Sequence, residues 1–125
     1  MNDLKAAIIN AALGTVEDLA ADETVGRYLF PRSFIGFDGH FPGYPVLPAY
    51  VQVLAALTVI EEWKGLPFQL ASVEKAKFHI ELRPDQEITV RCREFEAKGK
   101  TAIEANLTVE EGLAAVFLMH INRDV

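Results

Sequence analysis

The twelve residues Phe37-Asp38-Gly39-His40-Phe41-Pro42-Gly43-Tyr44-Pro45-Val46-Leu47-Pro48 hold one histidine, two glycines and three prolines, directly ahead of a long apolar stretch. Proline fixes φ and glycine admits backbone conformations closed to other residues, so this run makes a stiff loop of defined shape. A histidine in such a loop is pre-oriented. Imidazole, with an ordinary pKa of about 6.5, takes and gives protons near neutral pH, so His40 is a candidate general base. His79 and His120 share no metal-ligand spacing with it, and with Cys92 as the only cysteine neither a thiolate cage nor an intramolecular disulfide is available. The sequence therefore predicts no metal site.

The elements that must position His40 follow from the periodicity. Ala49 to Lys64 reads as a helix, with Pro48 at or just before its first turn, Gly65 as a left-handed stop and Pro67 two residues beyond. Val51, Val53, Leu54, Ala55, Ala56, Leu57, Val59 and Ile60 cover almost every direction around its axis, which predicts a buried helix. Its polar residues gather at the end, where Glu61 and Glu62 read as solvated surface. Beyond Pro67 the pattern alternates. Ala76, Phe78, Ile80 and Leu82 are expected on one face of a strand, followed by Ile88, Val90 and Cys92, then Ile103, Ala105, Leu107 and Val109, with a continuously apolar run from Leu113 to Met119. Breaks at Arg83-Pro84-Asp85, Lys98-Gly99-Lys100 and Glu111-Gly112 make these antiparallel strands joined by short turns.

Ahead of the loop, Met1 to Leu13 reads as a short amphipathic helix with Leu4, Ala7, Ile8 and Ala11 on one face, and one or two strands are expected over Thr15–Leu19 and Thr24–Phe30. One long buried helix with five or six antiparallel strands is an α+β domain, residues 1–125, in which the sheet wraps the helix: the hotdog arrangement. The uncovered sheet edge and helix start favour a dimer. Of the 125 residues 50% are hydrophobic and 24% charged, and 18 acidic residues outnumber 12 basic ones for a net charge of −6. That composition speaks against disorder and against a nucleic-acid partner. No apolar run is long enough for a signal peptide or a membrane span, and the lone cysteine suits a reducing cytoplasm.

From Gly39 to Ala49 the chain resembles the GHFPGxPxxPG motif of hotdog-fold 3-hydroxyacyl-acyl-carrier-protein dehydratases, with Ala49 standing where the family has its last glycine. The stretch from Ala71 to Phe78 and the turn Pro84-Asp85-Gln86 are similar to the family's strand after the helix and to its Pro-Gly-Asp-Gln turn. The resemblance implies a homodimer with active sites at the subunit interface, working on an acyl thioester carried by a phosphopantetheine arm, with no other cofactor. It implies that His40 is the base and that the backbone N–H of Ala49 is part of an oxyanion hole. It further implies that Phe41, Gly43, Pro48, Leu54, Leu57 and Thr58 meet the substrate. The family's partner acid is a carboxylate fourteen residues after the histidine. Here that position is Leu54, and the family's glutamine one turn later is Thr58.

Leucine transfers no proton. Tyr50, Asp38 or His40 itself is left to protonate the departing hydroxyl, and loss of a general acid typically costs about 10²–10⁴-fold. Two other readings stay open. Thioester hydrolysis releases a thiolate that needs little protonation, so a base and an oxyanion hole suffice for a hotdog thioesterase. Alternatively the chain binds an acyl thioester without turning it over, or pairs with a relative that supplies the acid across a heterodimer interface. Acyl carrier protein and coenzyme A are both possible carriers, in fatty-acid, polyketide or pigment biosynthesis.

Overall fold

The computed structural model of the chain describes residues 2–37 and 43–123. Helix α1 (Asn2–Asn10) is followed by strands β1 (Glu17–Ala20) and β2 (Glu23–Leu29), a 3-10 turn (Ile35–Phe37), helix α2 (Ala49–Lys64), and strands β3 (Phe68–Phe78), β4 (Glu87–Ala97), β5 (Lys100–Val109) and β6 (Gly112–Arg123). The strands form one antiparallel sheet in the order β1-β2-β4-β5-β6-β3. It packs against α2, and the result is the hotdog fold expected from the sequence.

Local chemistry explains the connections. Ala97 pairs with Lys100, and the two residues between them, Lys98 and Gly99, sit at φ 55 and 77, the left-handed pair that a two-residue hairpin turn of matching twist requires. Ile88, Val90 and Cys92 point inward on β4, and Ile103, Ala105, Leu107 and Val109 do so on β5. The apolar run of β6 resolves into the same alternation, with Ala115, Phe117, Met119 and Ile121 buried and Val116 and Leu118 only partly covered on the other face.

Helix α2 is buried on almost every side, including Val51, Val53, Ala55, Ala56, Val59 and Ile60. It ends as expected at Gly65, whose φ of 69 lets its N–H reach the Glu61 carbonyl oxygen at 2.8 Å. Helix α1 packs Ile8 and Ala11 into the same core. The carboxylates at the end of α2 are more than surface. Glu61, with only 13% of its side chain exposed, pairs with Lys5 Nζ at 2.7 Å and accepts the Phe68 N–H at 2.9 Å, while Glu62 accepts the Val16 N–H at 2.9 Å. A row of rings leads from the sheet towards the histidine loop. Tyr28 stacks on Phe30 (centroids 5.7 Å apart), Phe30 meets Phe34 (4.6 Å), and Phe34 meets Phe37 edge-on (5.6 Å).

Strand β3 departs from the sequence reading. It ends at Phe78, and Ala76 and Phe78 are exposed, while Ile80 and Leu82 lie in the connection that follows. The strand lies at the edge of the sheet, so both of its faces are largely exposed, and a pair of bulges interrupts its pairing. Pairing with β6 slips by one residue between Leu70 and Ser72 and again between Glu74 and Lys77, around Lys75 at φ 53. Each slip moves the side chains that follow to the opposite face, which a simple alternation cannot anticipate. Among the described residues β3 pairs with β6 alone, so its other edge is open. No helix is long and apolar enough to cross a membrane among the described residues.

Two tests follow from this packing. A Cβ built at Gly26 of β2 lies 2.9 Å from Val59 Cγ2 of α2. Gly26→Ala is expected to lower unfolding free energy by about 1–3 kcal/mol in urea titrations, because sheet and helix must separate. Burial pushes the Cys92 thiol from 9.0 up to about 12, and burial, with smaller contributions from Glu62 and Cys92 and against the lowering effect of the hydrogen bond with Thr58, pushes the Tyr28 phenol from 10.0 up to about 12. Below about pH 8 both groups are almost fully protonated in both states and stability is unaffected. Between pH 9 and 12 the unfolded chain releases protons that the folded chain keeps, so stability falls as pH rises, by about 1.4 kcal/mol per pH unit for each fully engaged group. Denaturation series at pH 8, 10 and 11 should show this decline, and Cys92→Ala and Tyr28→Phe should each flatten it.

Candidate functional site

The second half of the histidine loop is fastened to the turn after β3. Gly43 takes φ 83, with open space where a Cβ would stand, so its requirement is conformational rather than steric. Beyond it, the Arg83 guanidinium lies 3.7 Å from the centre of the Tyr44 ring, Arg83 Nε donates to the Pro45 carbonyl oxygen at 2.9 Å, and Tyr44 donates its hydroxyl hydrogen to Glu81 at 2.9 Å. The Leu47 N–H donates to the Leu82 carbonyl oxygen at 2.8 Å, and the Leu47 side chain is buried. The turn itself is held by the Arg83 N–H on Gln86 Oε1 (2.6 Å) and the Asp85 N–H on the Phe30 carbonyl oxygen (2.8 Å). Asp85 adopts φ 66, in the left-handed region that aspartate enters more readily than most residues.

The loop delivers the chain into α2 through Pro48, the N-cap residue, at φ −64 and ψ 153. Its carbonyl oxygen accepts from the N–H groups of Val51 (3.1 Å) and Gln52 (3.2 Å). Proline has no side-chain acceptor, so the helix begins without a side-chain cap. The amides of Ala49 and Tyr50 have no acceptor among the described residues, and both residues are exposed. Two open N–H donors, reinforced by the positive end of a buried sixteen-residue helix, can hold an oxygen that gains negative charge.

The sequence-derived residues divide. Asp38, His40 and Phe41 lie outside the described residues. Pro48, Ala49 and Tyr50 stand together at the helix start, Gly43 lies five residues earlier in the loop, and Leu54, half-buried, lies one turn beyond Tyr50 on the same helix face. Leu57 is 6% exposed and belongs to the core. Thr58 is about 14 Å along the axis from Ala49. Its hydroxyl donates to the Ala55 carbonyl oxygen at 2.7 Å and accepts from Tyr28 at 2.9 Å, at the wall of a cavity of about 520 Å³ also lined by Ile9, Ala12, Leu66 and Pro67. The thiol of Cys92 is fully buried over the Ala56 carbonyl oxygen and, held near pKa 12, is not a nucleophile at neutral pH. His120 is engaged by Glu74, and no cluster of three His, Cys, Asp or Glu forms among the described residues.

One residue of the site escaped the sequence reading. Gln52, 5% exposed in the first turn of α2, donates its Nε2 hydrogen to the Leu47 carbonyl oxygen at 3.1 Å, while its Oε1 is buried without a partner. An unpaired buried oxygen costs about 1–3 kcal/mol. The signal was present as the one amide in an otherwise apolar stretch of helix.

Known proteins share this architecture. The profile of the ApeI-like family, described as ApeI dehydratase, matches residues 17–115. The chain is 28% identical over 107 residues to a 3-hydroxyacyl-[acyl-carrier-protein] dehydratase FabZ of Syntrophobacter fumaroxidans, covering 78% of this chain and 73% of the relative. It is 31% identical over 109 residues to the FabZ of Lactococcus lactis, covering 80% and 75%. Across such relatives the chain spans between 61% and 75% of their length. Among solved structures, one chain of the dehydratase heterocomplex ApeI:P from Xenorhabdus doucetiae superimposes with a TM-score of 0.73 at 20% identity, covering 90% of this chain and 96% of that one. With the open helix start and the wrapped helix in place and the family profile matched over residues 17–115, this chain belongs to the ApeI-like family of dehydratases.

Proposed function

We propose that the protein eliminates water from a 3-hydroxyacyl thioester carried on phosphopantetheine, of acyl carrier protein or coenzyme A, with His40 as base. The observation that carries this reading is the pair of open amides at the start of α2, nine residues after His40 in the motif loop. His40 removes the α proton, and the electron pair moves into the thioester carbonyl, whose oxygen is held by the Ala49 N–H. One such donor is worth about 2.7–4 kcal/mol in enzymes where it has been removed. The electrons return to form the α,β double bond as the 3-hydroxyl leaves with the proton that His40 captured, so the products are an enoyl thioester and water. Returning that proton through the histidine answers the absence of a carboxylate at Leu54. Tyr50, half-exposed at 53% and one turn away, is the nearest described alternative donor, and Asp38 lies in the loop itself.

The working unit in this reading is a cytoplasmic homodimer. Its support is the open edge of β3 together with exposed Leu70 and Phe78 on that strand and Tyr50 beside Leu54 on α2. A second reading is favoured by Leu54 and by the likeness to a chain of a heterocomplex: a relative supplies the acid to this chain's site.

Mass spectrometry of a 3-hydroxyacyl pantetheine thioester incubated with the pure protein tests both. Loss of one water in the wild type, reduced about 10²–10⁴-fold in His40→Ala, is expected. A silent wild type with dehydration restored by Leu54→Glu sustains the heterodimer reading instead. Release of the free 3-hydroxy acid identifies a thioesterase, and silence in every variant removes the stand-alone enzyme for that substrate.

A further inference from the structure

The outer face of the sheet, turned away from α2, carries opposite charge at its two ends. At the hairpin end of β4 and β5, Lys98 and Lys100 stand with Lys75 around a cavity of about 720 Å³ that half-buried Phe95, Leu118 and His120 line. At the other end of the same two strands, Asp85, Glu87, Glu110 and Glu111 surround a cavity of about 500 Å³ with Thr89 and Thr108. None of these lysines and carboxylates has a side-chain partner among the described residues. The charges between the two ends are paired, Arg91 with Glu23 and Arg93 with Glu104 at 3.3 Å. Thr89 pairs with Thr108 and Ala97 with Lys100, so eight residues, about 27 Å of strand, separate the ends. Like charges gathered round a cavity build a potential that draws a counter-charge.

This face supplies its own counter-charge. Sheets that pack face to face keep their strands within about 30° of alignment, so two copies can meet here about either of two axes. An axis along the strands sets lysine on lysine and carboxylate on carboxylate. An axis across the strands reverses their direction, keeps β4 and β5 over β4 and β5, and sets each lysine end on a carboxylate end. We infer that the outer face pairs with the same face of a second copy about this crossing axis, with Lys98 and Lys100 of each copy against Glu87, Glu110 and Glu111 of the other. The axis passes the Arg93–Glu104 pair, which lies four residues from either end. Val73, the middle residue of β3, is one row away, so the axis also meets that of a dimer paired about the middle of the β3 edge. The two axes are perpendicular and close a tetramer instead of an open fibre. Four strands of this length present on the order of 500 Å² per copy, at the weak end of specific interfaces, so the contact depends on its charges. It is independent of the reaction proposed above.

Analytical ultracentrifugation of the intact chain, at tens of micromolar, tests this. The particle mass at about 0.02 M salt is expected to be twice that at about 0.5 M, since screening over this range removes attraction between exposed charges. Two variants carry the decision. One joins Lys98→Asp, aspartate suiting φ 55 there, to Lys100→Glu; the other joins Glu87→Lys to Glu110→Lys and Glu111→Lys. Each reverses one end and should raise the low-salt dissociation constant at least about tenfold. An equimolar mixture of the two should regain the doubled mass, because an acidic face then meets a basic one at both ends. Circular dichroism reports that each variant is folded, and the wild-type salt series decides even if one is not. A mass that does not change with salt, or a mixture that stays apart, overturns the inference. So does separation of the copies by the lysine variant but not by the glutamate variant, a result that assigns the lysine end to an acidic partner of another kind.

Discussion

A helix covered on almost every side sets the terms for this fold. Val51, Ala56, Val59 and Ile60 span about half the circumference of α2 and all are inaccessible, so something apolar must stand along that whole half, while Tyr50 and Leu54 on the other half are only partly covered. A flat sheet covers only one side of a cylinder. The six strands therefore wrap it, α1 closes a further flank with Ile8, and β2 comes so near that Gly26 is the residue facing Val59. Burial of this kind is favourable at about 25 cal/mol per Å² of apolar surface, and that drive, more than hydrogen bonding, holds sheet and helix together. The polar end of α2 then has to be reconciled with its surroundings. Two carboxylates near a helix C-terminus oppose the dipole, and the structure offsets this by giving Glu61 a lysine and an amide, Glu62 an amide, and the last turn a lysine of its own, Lys64.

The same burial gives the opposite end of the helix its chemical character. Positive potential at a helix start is screened by water when the helix lies on a surface, and is far less screened when the helix runs through a core. Placing proline at the N-cap removes the usual side-chain acceptor and leaves Ala49 and Tyr50 with amides to offer. An arrangement that costs the isolated helix a cap thus leaves an anion-seeking point at the mouth of the fold. It is of use only if the incoming loop does not wander. Arg83 prevents that by stacking on Tyr44 and bonding Pro45, which ties the position of the helix start to the turn between β3 and β4.

Much of this was legible in the residues. Pro48, Gly65 and the full apolar circumference of α2 announced a buried helix with the bounds it has, and Lys98-Gly99 announced its hairpin. Strand β3 departs from the expected alternation because it stands at the edge of the sheet, where neither face is covered along most of its length, and its bulges depend on pairing with β6. Glu61 and Glu62 read as solvent-facing because polarity at a helix end has that meaning on average; their partners Lys5, Phe68 and Val16 are distant in sequence. Gln52 was overlooked for a related reason. One amide among apolar neighbours hardly alters a periodic pattern, and only the burial of the unpaired oxygen distinguishes it from a helix residue that happens to be polar.

The places where the chain departs from the dehydratase motif separate what backbone supplies from what side chains supply. Ala49 stands for glycine at the helix start, yet the group of interest there is an N–H, which every residue but proline carries. Asp85 follows the proline of the turn and takes φ 66, as aspartate does at lower steric cost than most residues, and Arg83, two residues earlier, holds the loop. Neither change touches a function that resides in the main chain. Leu54 is different in kind, because a carboxylic acid has no backbone equivalent. The described helix start therefore offers open amides while α2 has no carboxylate at position 54 to protonate a leaving group. In the proposed reaction, a chain altered in this pattern would keep the half of the chemistry that forms an enolate, and the other half would have to be met by the histidine or from beyond the chain.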